Sequence, residues 1–436
     1  MFLSDIHKYN SQFTIYNSQL KYKMDILKIA TAGSVDDGKS TLIGRILYET
    51  NSLKEDQLEH IEAKSKSKGY DYLDFSLATD GLLTEREQGI TIDVSNIYFS
   101  TEVRRFIIAD SPGHEEYTRN MVTGASTSQA AIILLDARKG VIKQTKRHFF
   151  ITQLLGIKHI VVAINKMDLV GFDKATYDTI VSDFQQLITS FGKTDLNIQF
   201  IPVSALQGDN IVTLSKQTPW YEGQALLRLL ETIDAQEKAL AQDIFQVQYV
   251  IRPRTAELHD YRGFAGKVRS GDIQVGDAVK VFPSGRTSKV KSIEKYGEPV
   301  SALSQNENGT ILLEDEIDIS RGDTLLTQQT QIADSKIIKA NVCWMQPDSL
   351  TAGRKVFLQQ GIHRVIAKVK SVSNKLNLET LETTQASELN LNDIGQVEIQ
   401  LANPILVETY ENNPKIGAFI LIDELTNNTA GVGFLN

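Results

Sequence analysis

A chain of 436 residues exceeds what one hydrophobic core ordinarily serves, so two or three domains are expected. Its 41% hydrophobic and 23% charged content is globular and excludes fibrous and disordered classes, while the longest apolar runs, Ala130 to Leu135 and Ile160 to Ile164, have strand length and exclude a membrane-spanning helix. The formal net charge of −8 supplies no bulk electrostatic drive toward nucleic acid.

The first 23 residues are polar and carry Asp5 where a secretory signal would need its apolar stretch, so a cytoplasmic protein is expected; they form an N-terminal extension, with Met24 as an alternative start. The single cysteine, Cys343, sits in the apolar setting NVCWM and is expected to be a buried core thiol in a reducing compartment. From residue 24 to 236, short apolar strands (LKIATA, RFIIAD, AAIILLD, HIVVAIN, IQFIPV) alternate with amphipathic helices, the grammar of an α/β domain with a mainly parallel sheet. In one helix Tyr177, Ile180, Val181, Phe184, Leu187 and Ile188 recur at three- and four-residue steps and should share a buried face.

After a polar, helix-prone connector, DAQEKALAQ, the pattern changes to short strands with turns at Gly271-Asp272, Gly276-Asp277, Ser284-Gly285 and Gly322-Asp323, which predicts an all-β barrel over 237–331. A second β-rich domain is expected over 332–436, with KIIKANVCWM, HRVIAKVKSV, GQVEIQLA and GAFILIDEL as strands. Glu314, Asp315, Glu316 and Asp318 lack the turn-forming spacing of a calcium loop and read as a solvated strand edge.

Five segments in the α/β region carry chemistry, and each follows or precedes a strand. Gly33-Ser34-Val35-Asp36-Asp37-Gly38-Lys39-Ser40 matches G-x-x-x-x-G-K-[S/T] between a strand and a helix, where backbone N–H groups and the helix N-terminus can cradle phosphates. Lys39 is placed to bridge β- and γ-phosphates and the Ser40 hydroxyl to ligate Mg²⁺. Asp110-Ser111-Pro112-Gly113-His114 follows RFIIAD: Asp110 can hold Mg²⁺, the Gly113 N–H can sense the γ-phosphate, and His114 is placed to orient the attacking water. Asn165-Lys166-Met167-Asp168 follows HIVVAI. The Asp168 carboxylate can accept from guanine N1–H and its 2-amino group, a pairing adenine cannot make, so the nucleotide is expected to be GTP. Ser204-Ala205-Leu206 would close over the base with backbone N–H groups, and Glu85 to Asp93, with Thr91 as a second hydroxyl ligand to the metal, is a candidate switch that orders around γ-phosphate and Mg²⁺.

These segments, in this order, resemble the translational GTPase superfamily over essentially the whole length, and the stretches TPWYEGQALLRLLE and HDYRGFAGKVRSGDIQVGDAVKVFPSGRTSKV support the likeness. The resemblance implies a P-loop GTPase domain followed by two β-barrels, as in elongation factor Tu. Within the superfamily, SVDDGKS and EREQGITID in place of VDHGK and RGITI, together with DSPGHEEYTRNM, DARKGVIKQTKRH, EDEIDISRGDTL and FILIDELTNNTAGVGFLN, are similar to the GTPase subunit of heterodimeric bacterial sulfate adenylyltransferase. That likeness implies a partner subunit holding the ATP and sulfate sites. With the chain ending at Asn436, no C-terminal adenylylsulfate kinase domain is expected. The competing expectations are an elongation-factor-type GTPase delivering aminoacyl-tRNA, which would need a basic groove and salt-sensitive binding, and a regulatory GTPase without a coupled reaction.

Overall fold

The computed structural model describes residues 25–67, 69–78, 94–112, 118–191, 195–234, 240, 242–253, 260–377 and 382–436. The chain separates into two compact units, 1–235 and 236–436.

The first unit is built on a six-stranded sheet of β1 (Ile26–Ala32), β2 (Ser95–Ser100), β3 (Arg105–Asp110), β4 (Ala130–Asp136), β5 (His159–Asn165) and β6 (Asn197–Pro202), in the order β2-β3-β1-β4-β5-β6. All neighbours are parallel except β2, which runs antiparallel to β3 at the edge. Every residue of β4 is buried. Successive side chains alternate between faces, so both faces of the sheet are covered, and this is why the strand reads as one continuous apolar run. The covering helices are α1 (Lys39–Glu49), α2 (Glu55–Ser67), α3 (Thr118–Ala125), α4 (Lys143–Leu154), α5 (Lys174–Ser190) and α6 (Leu226–Thr232). On α5, Ile180, Phe184 and Leu187 are buried and Tyr177, Val181 and Ile188 half-buried, so the sequence periodicity found the correct face. The apolar core runs from Leu27 and Ile29 through Leu42, Ile46, Phe106 and Ile132 to Leu226 and Leu230.

The second unit contains two closed sheets. In the first, strands between Ile244 and Thr327 pair antiparallel, and Ala278–Phe282 closes the ring by pairing both with Thr324–Thr327 and with Thr287–Lys295. In the second, Lys355–Gln360 closes it by pairing with His363–Leu376 and with Ala418–Ile422. Closure leaves both barrels short of free edges. Gly271, Gly276, Gly285 and Gly322 all have positive φ, which is why the turns could be read from glycine positions. Trp344 fills the second barrel, its indole N–H donating to the Asp348 carbonyl at 2.7 Å. Cys343 is fully buried and burial pushes its thiol up to about 12, as expected of an inert core thiol. The acidic residues Glu314, Asp315, Glu316 and Asp318 are exposed just beyond the strand Asn308–Leu313, with Asp318 near Arg262 and Arg286. Most of the DAQEKALAQ connector lies outside the described residues.

Candidate nucleotide site

Parallel α/β sheets open their sites at the carboxyl ends of the strands, where the order reverses. Here β1 lies between β3 and β4, and the loop 33–38 leaves β1 at that switch point. Gly38 sits at φ 90° at the N-terminus of α1, and a Cβ there would come 2.4 Å from the Asn165 amide nitrogen, so the position tolerates no side chain. Gly33 is confined differently: a Cβ would approach Leu134 Cβ to 3.1 Å. Val35 and Ser34 are half-buried, Asp36 is exposed at φ 68°, and Ser40 is half-buried in the first turn of α1.

Lys39 and Asp110 come from different loops and meet as a buried pair, Nζ to Oδ1 2.5 Å. Thr31, opposite Asp110 in the β1–β3 register, donates its hydroxyl to the same carboxylate oxygen at 3.1 Å and fixes its direction. Ser111 and Pro112 are buried beside them. The Ser34 and Ser111 hydroxyl oxygens and Asp37 Oδ1 are buried without hydrogen-bond partners among the described residues. On the 33–38 loop, the unpartnered Ser34 hydroxyl and Asp37 Oδ1 are atoms a polar ligand could satisfy. Ser40 and Asp110 offer two hard oxygen donors suited to Mg²⁺, which takes its remaining ligands from phosphate and water.

Asp37 accepts from the Ser34 N–H at 2.7 Å and stands 3.7 Å from Lys139 Nζ. Burial pushes its carboxyl up to about 6, against the opposing Ser34 hydrogen bond and the Lys139 charge.

The loop after β5 is tied to its neighbours through Asn165, which is 2% exposed. Its amide donates to the Asp37 carbonyl at 2.8 Å and accepts from the Ala205 N–H at 2.9 Å, joining the phosphate loop to Ser204-Ala205-Leu206. Lys166 donates to the Asp36 carbonyl, and Met167 is buried with its N–H on the Val203 carbonyl. Asp168 lies half-buried in the short 3₁₀ turn Met167–Val170. Ser204 and Ala205 are buried and Leu206 half-buried, with Ser204 accepting from the Gln207 N–H.

The expected residues Gly33 to Ser40, Asp110 to Pro112, Asn165 to Asp168 and Ser204 to Leu206 therefore converge at one end of one sheet. Thr91, Gly113, His114 and the segment Glu85 to Asp93 lie outside the described residues. Sequence reasoning missed Thr31, Asp136, Arg138, Lys139 and His148. His148 on α4 is 2% exposed; burial first, then the charges of Lys39 and Arg147, depress its imidazole to about 3. The polar residues of DARKG, directly after a continuous apolar strand, were the available signal for the first three after Thr31.

Residues 24–238 match the family model of the elongation factor Tu GTP binding domain and residues 337–436 that of the GTP-eEF1A C-terminal domain-like family. A curated relative from Cellvibrio japonicus, sulfate adenylyltransferase subunit 1, is 46% identical over 95% of this chain and 87% of its own length. The chain belongs to the sulfate adenylyltransferase subunit 1 family. The family member of Aliarcobacter butzleri is 47% identical over 94% of this chain and 87% of its own. The bifunctional enzyme CysN/CysC of Mycobacterium tuberculosis is 46% identical over 94% of this chain and 67% of its own length. A crystal structure of sup35 complexed with GDP covers 95% of this chain and 94% of its own at 23% identity and a TM-score of 0.42, too distant to inform the geometry.

Proposed function

We propose that this chain binds and hydrolyses GTP as the GTPase subunit of a sulfate adenylyltransferase, and that hydrolysis drives ATP + sulfate → adenylylsulfate + diphosphate on a partner subunit carrying the ATP and sulfate sites. The observation that carries this reading is the match at 46–47% identity, over 94–95% of this chain, to proteins named sulfate adenylyltransferase subunit 1. The same relatives weigh against delivery of aminoacyl-tRNA.

In this reading the N–H groups of residues 33–38 and the α1 N-terminus hold the phosphates, and Lys39 leaves Asp110 to bridge β- and γ-oxygens. Mg²⁺, held by Ser40, Asp110 and Thr91, would neutralise charge developing on the phosphates. Asp168 reads guanine while Asn165, Lys166 and Ser204-Ala205-Leu206 frame the base. His114 orients water and Gly113 senses the γ-phosphate. The mixed phosphoric–sulfuric anhydride is a high-energy product, so its formation is uphill. The downhill loss of the γ-phosphoryl group supplies the pull if the switch segment reports it to the partner.

The domain limits proposed with this function are 24–236, 237–331 and 332–436. Location in the cytoplasm belongs to the same proposal; among the described residues no helix is long and apolar enough to cross a membrane.

Co-expression with a sulfurylase-like partner encoded nearby, followed by adenylylsulfate measurement with and without GTP, tests the reading. GTP should raise the yield well above that of the partner alone. Equal yields in both conditions would overturn it.

A further inference from the structure

The end of β4 and the loop after it, Asp136 to Gly140, contribute charged side chains to the nucleotide site that none of the roles above uses. Asp136 is wholly buried at its carboxylate. It accepts from the Arg138 backbone N–H at 3.0 Å, from Arg138 Nε at 3.0 Å and from Arg138 Nη2 at 2.6 Å, and its Oδ2 lies 3.2 Å from Lys166 Nζ. The same Lys166 ammonium donates to the Asp36 carbonyl of the phosphate loop. On the other side of the loop, Lys139 approaches Asp37.

A buried carboxylate is stable only when its charge is matched and its oxygens are bonded. Burial would raise the Asp136 carboxyl, but the Arg138 donors and Lys166 overcome it and hold the group far below the usual carboxylate range. Arg138 already engages both oxygens, so charge compensation alone does not require Lys166. What the extra contact does is fix where a flexible, strongly hydrated lysine head can sit. Lys166 is only 23% exposed and its backbone is left-handed at φ 62°, so its side chain leaves the base loop in a set direction, with Asp136 on one side and the Asp36 carbonyl on the other.

We propose that Asp136 is a positioning residue of the GTP site: it holds Lys166 against the phosphate loop, so that the loop reading the base and the loop gripping the phosphates stay joined. The proposal rests on the assignment of residues 33–40 and 165–168 to GTP.

The test is a double-mutant cycle on the full chain, reading the release rate of GDP labelled with a fluorophore on its ribose. Asp136→Asn and Lys166→Met should each speed release about tenfold, the weight of one charged hydrogen bond. The double variant should release no faster than Lys166→Met alone, because both changes remove the same contact. Asp136→Asn should raise KM for GTP in proportion while kcat moves far less, a split that general loosening of the fold would not produce. A double variant whose acceleration is the product of the singles, or Asp136→Asn releasing GDP at the wild-type rate, would overturn the proposal. If Asp136→Asn does not fold, Asp136→Ser, smaller and still able to accept from the Arg138 N–H, runs the same cycle under the same criteria. Wild-type protein that fails to bind the labelled GDP would defeat the nucleotide-site assignment itself; wild-type binding with an indifferent Asp136→Asn defeats only the positioning role.

Discussion

At the carboxyl ends of β1, β3, β4 and β5 the α/β unit buries Asp37, Lys39, Asp110, Asp136 and Asn165, whereas the interior of the second barrel is filled by Trp344, Val356, Leu358, Phe419 and Leu421. Both regions are buried, yet one encloses charge and the other is filled mainly by apolar side chains. Buried charges are expensive to keep, so their concentration at the carboxyl ends of these strands supports the proposed nucleotide site there, while the barrel interior follows packing rules. Substitutions should therefore separate cleanly: changes at the sheet edge alter nucleotide handling, and changes in the barrel alter stability.

The largest effect is expected at Lys39. Lys39→Ala removes the cation proposed to bridge the phosphates and should lower GTP turnover about 10³-fold. It also leaves Asp110 buried without its cation, costing the α/β unit about 3 kcal/mol in denaturant unfolding. Converting Asp110 to Asn in the same chain should recover much of that stability and none of the turnover. Turnover at the wild-type rate in Lys39→Ala would break the contrast between the regions.

Trp344→Ala is the barrel counterpart. Removing a fully buried indole and its hydrogen bond should destabilise the second unit by about 4 kcal/mol, measured by thermal or denaturant unfolding, with GDP affinity of the α/β unit within about twofold of wild type. A comparable loss of nucleotide affinity would show that the two regions are not energetically separate.

A smaller, more selective effect is expected from Asp168→Asn, which exchanges an acceptor for a donor. Competition binding should show preference moving from GTP to xanthosine triphosphate by on the order of 10²-fold. Equal affinity of the wild type for ATP and GTP would contradict the base assignment.

The smallest effect is a pH slope. The folded-state carboxyl of Asp37 is raised by burial from 3.8 to about 6, so between those values the folded state holds a proton that the unfolded state has released. Stability should thus fall as pH rises through that window, by on the order of 2 kcal/mol, and Asp37→Asn should flatten the slope. The check is unfolding free energy of both proteins from pH 4 to 7; parallel curves would remove Asp37 as the source.

Much of this contrast was legible in the sequence because it is local. Continuous apolar runs announced the buried parallel strands, glycine turns announced the barrel hairpins, and short motifs placed Lys39, Asp110, Asn165 and Asp168 at strand ends. Contacts that depend on strand order were not legible. Thr31 reaches Asp110 only because β1 pairs with β3, and Asp136 reaches Lys166 only because β4 pairs with β5, with Asp136 opposite Asn165 in that register. The strand after the segment Glu85 to Asp93 was legible, but its place at the sheet edge and its antiparallel direction follow from pairing with β3. The barrels were expected, but not which strands meet in them: Ile244–Ile251 pairs with Thr324–Thr327, far along the sequence.

The most direct test of the account follows adenylylsulfate and GDP together in one mixture of partner, ATP, sulfate, GTP and His114→Ala protein. His114 is the residue assigned to orienting water, so the variant should bind GTP nearly normally while hydrolysing it on the order of 10²-fold more slowly. Adenylylsulfate should then stay at the level the partner reaches alone, falling in step with the lost GDP. Full accumulation of adenylylsulfate by a variant that no longer makes GDP would contradict the claim that hydrolysis on this chain drives the partner's reaction.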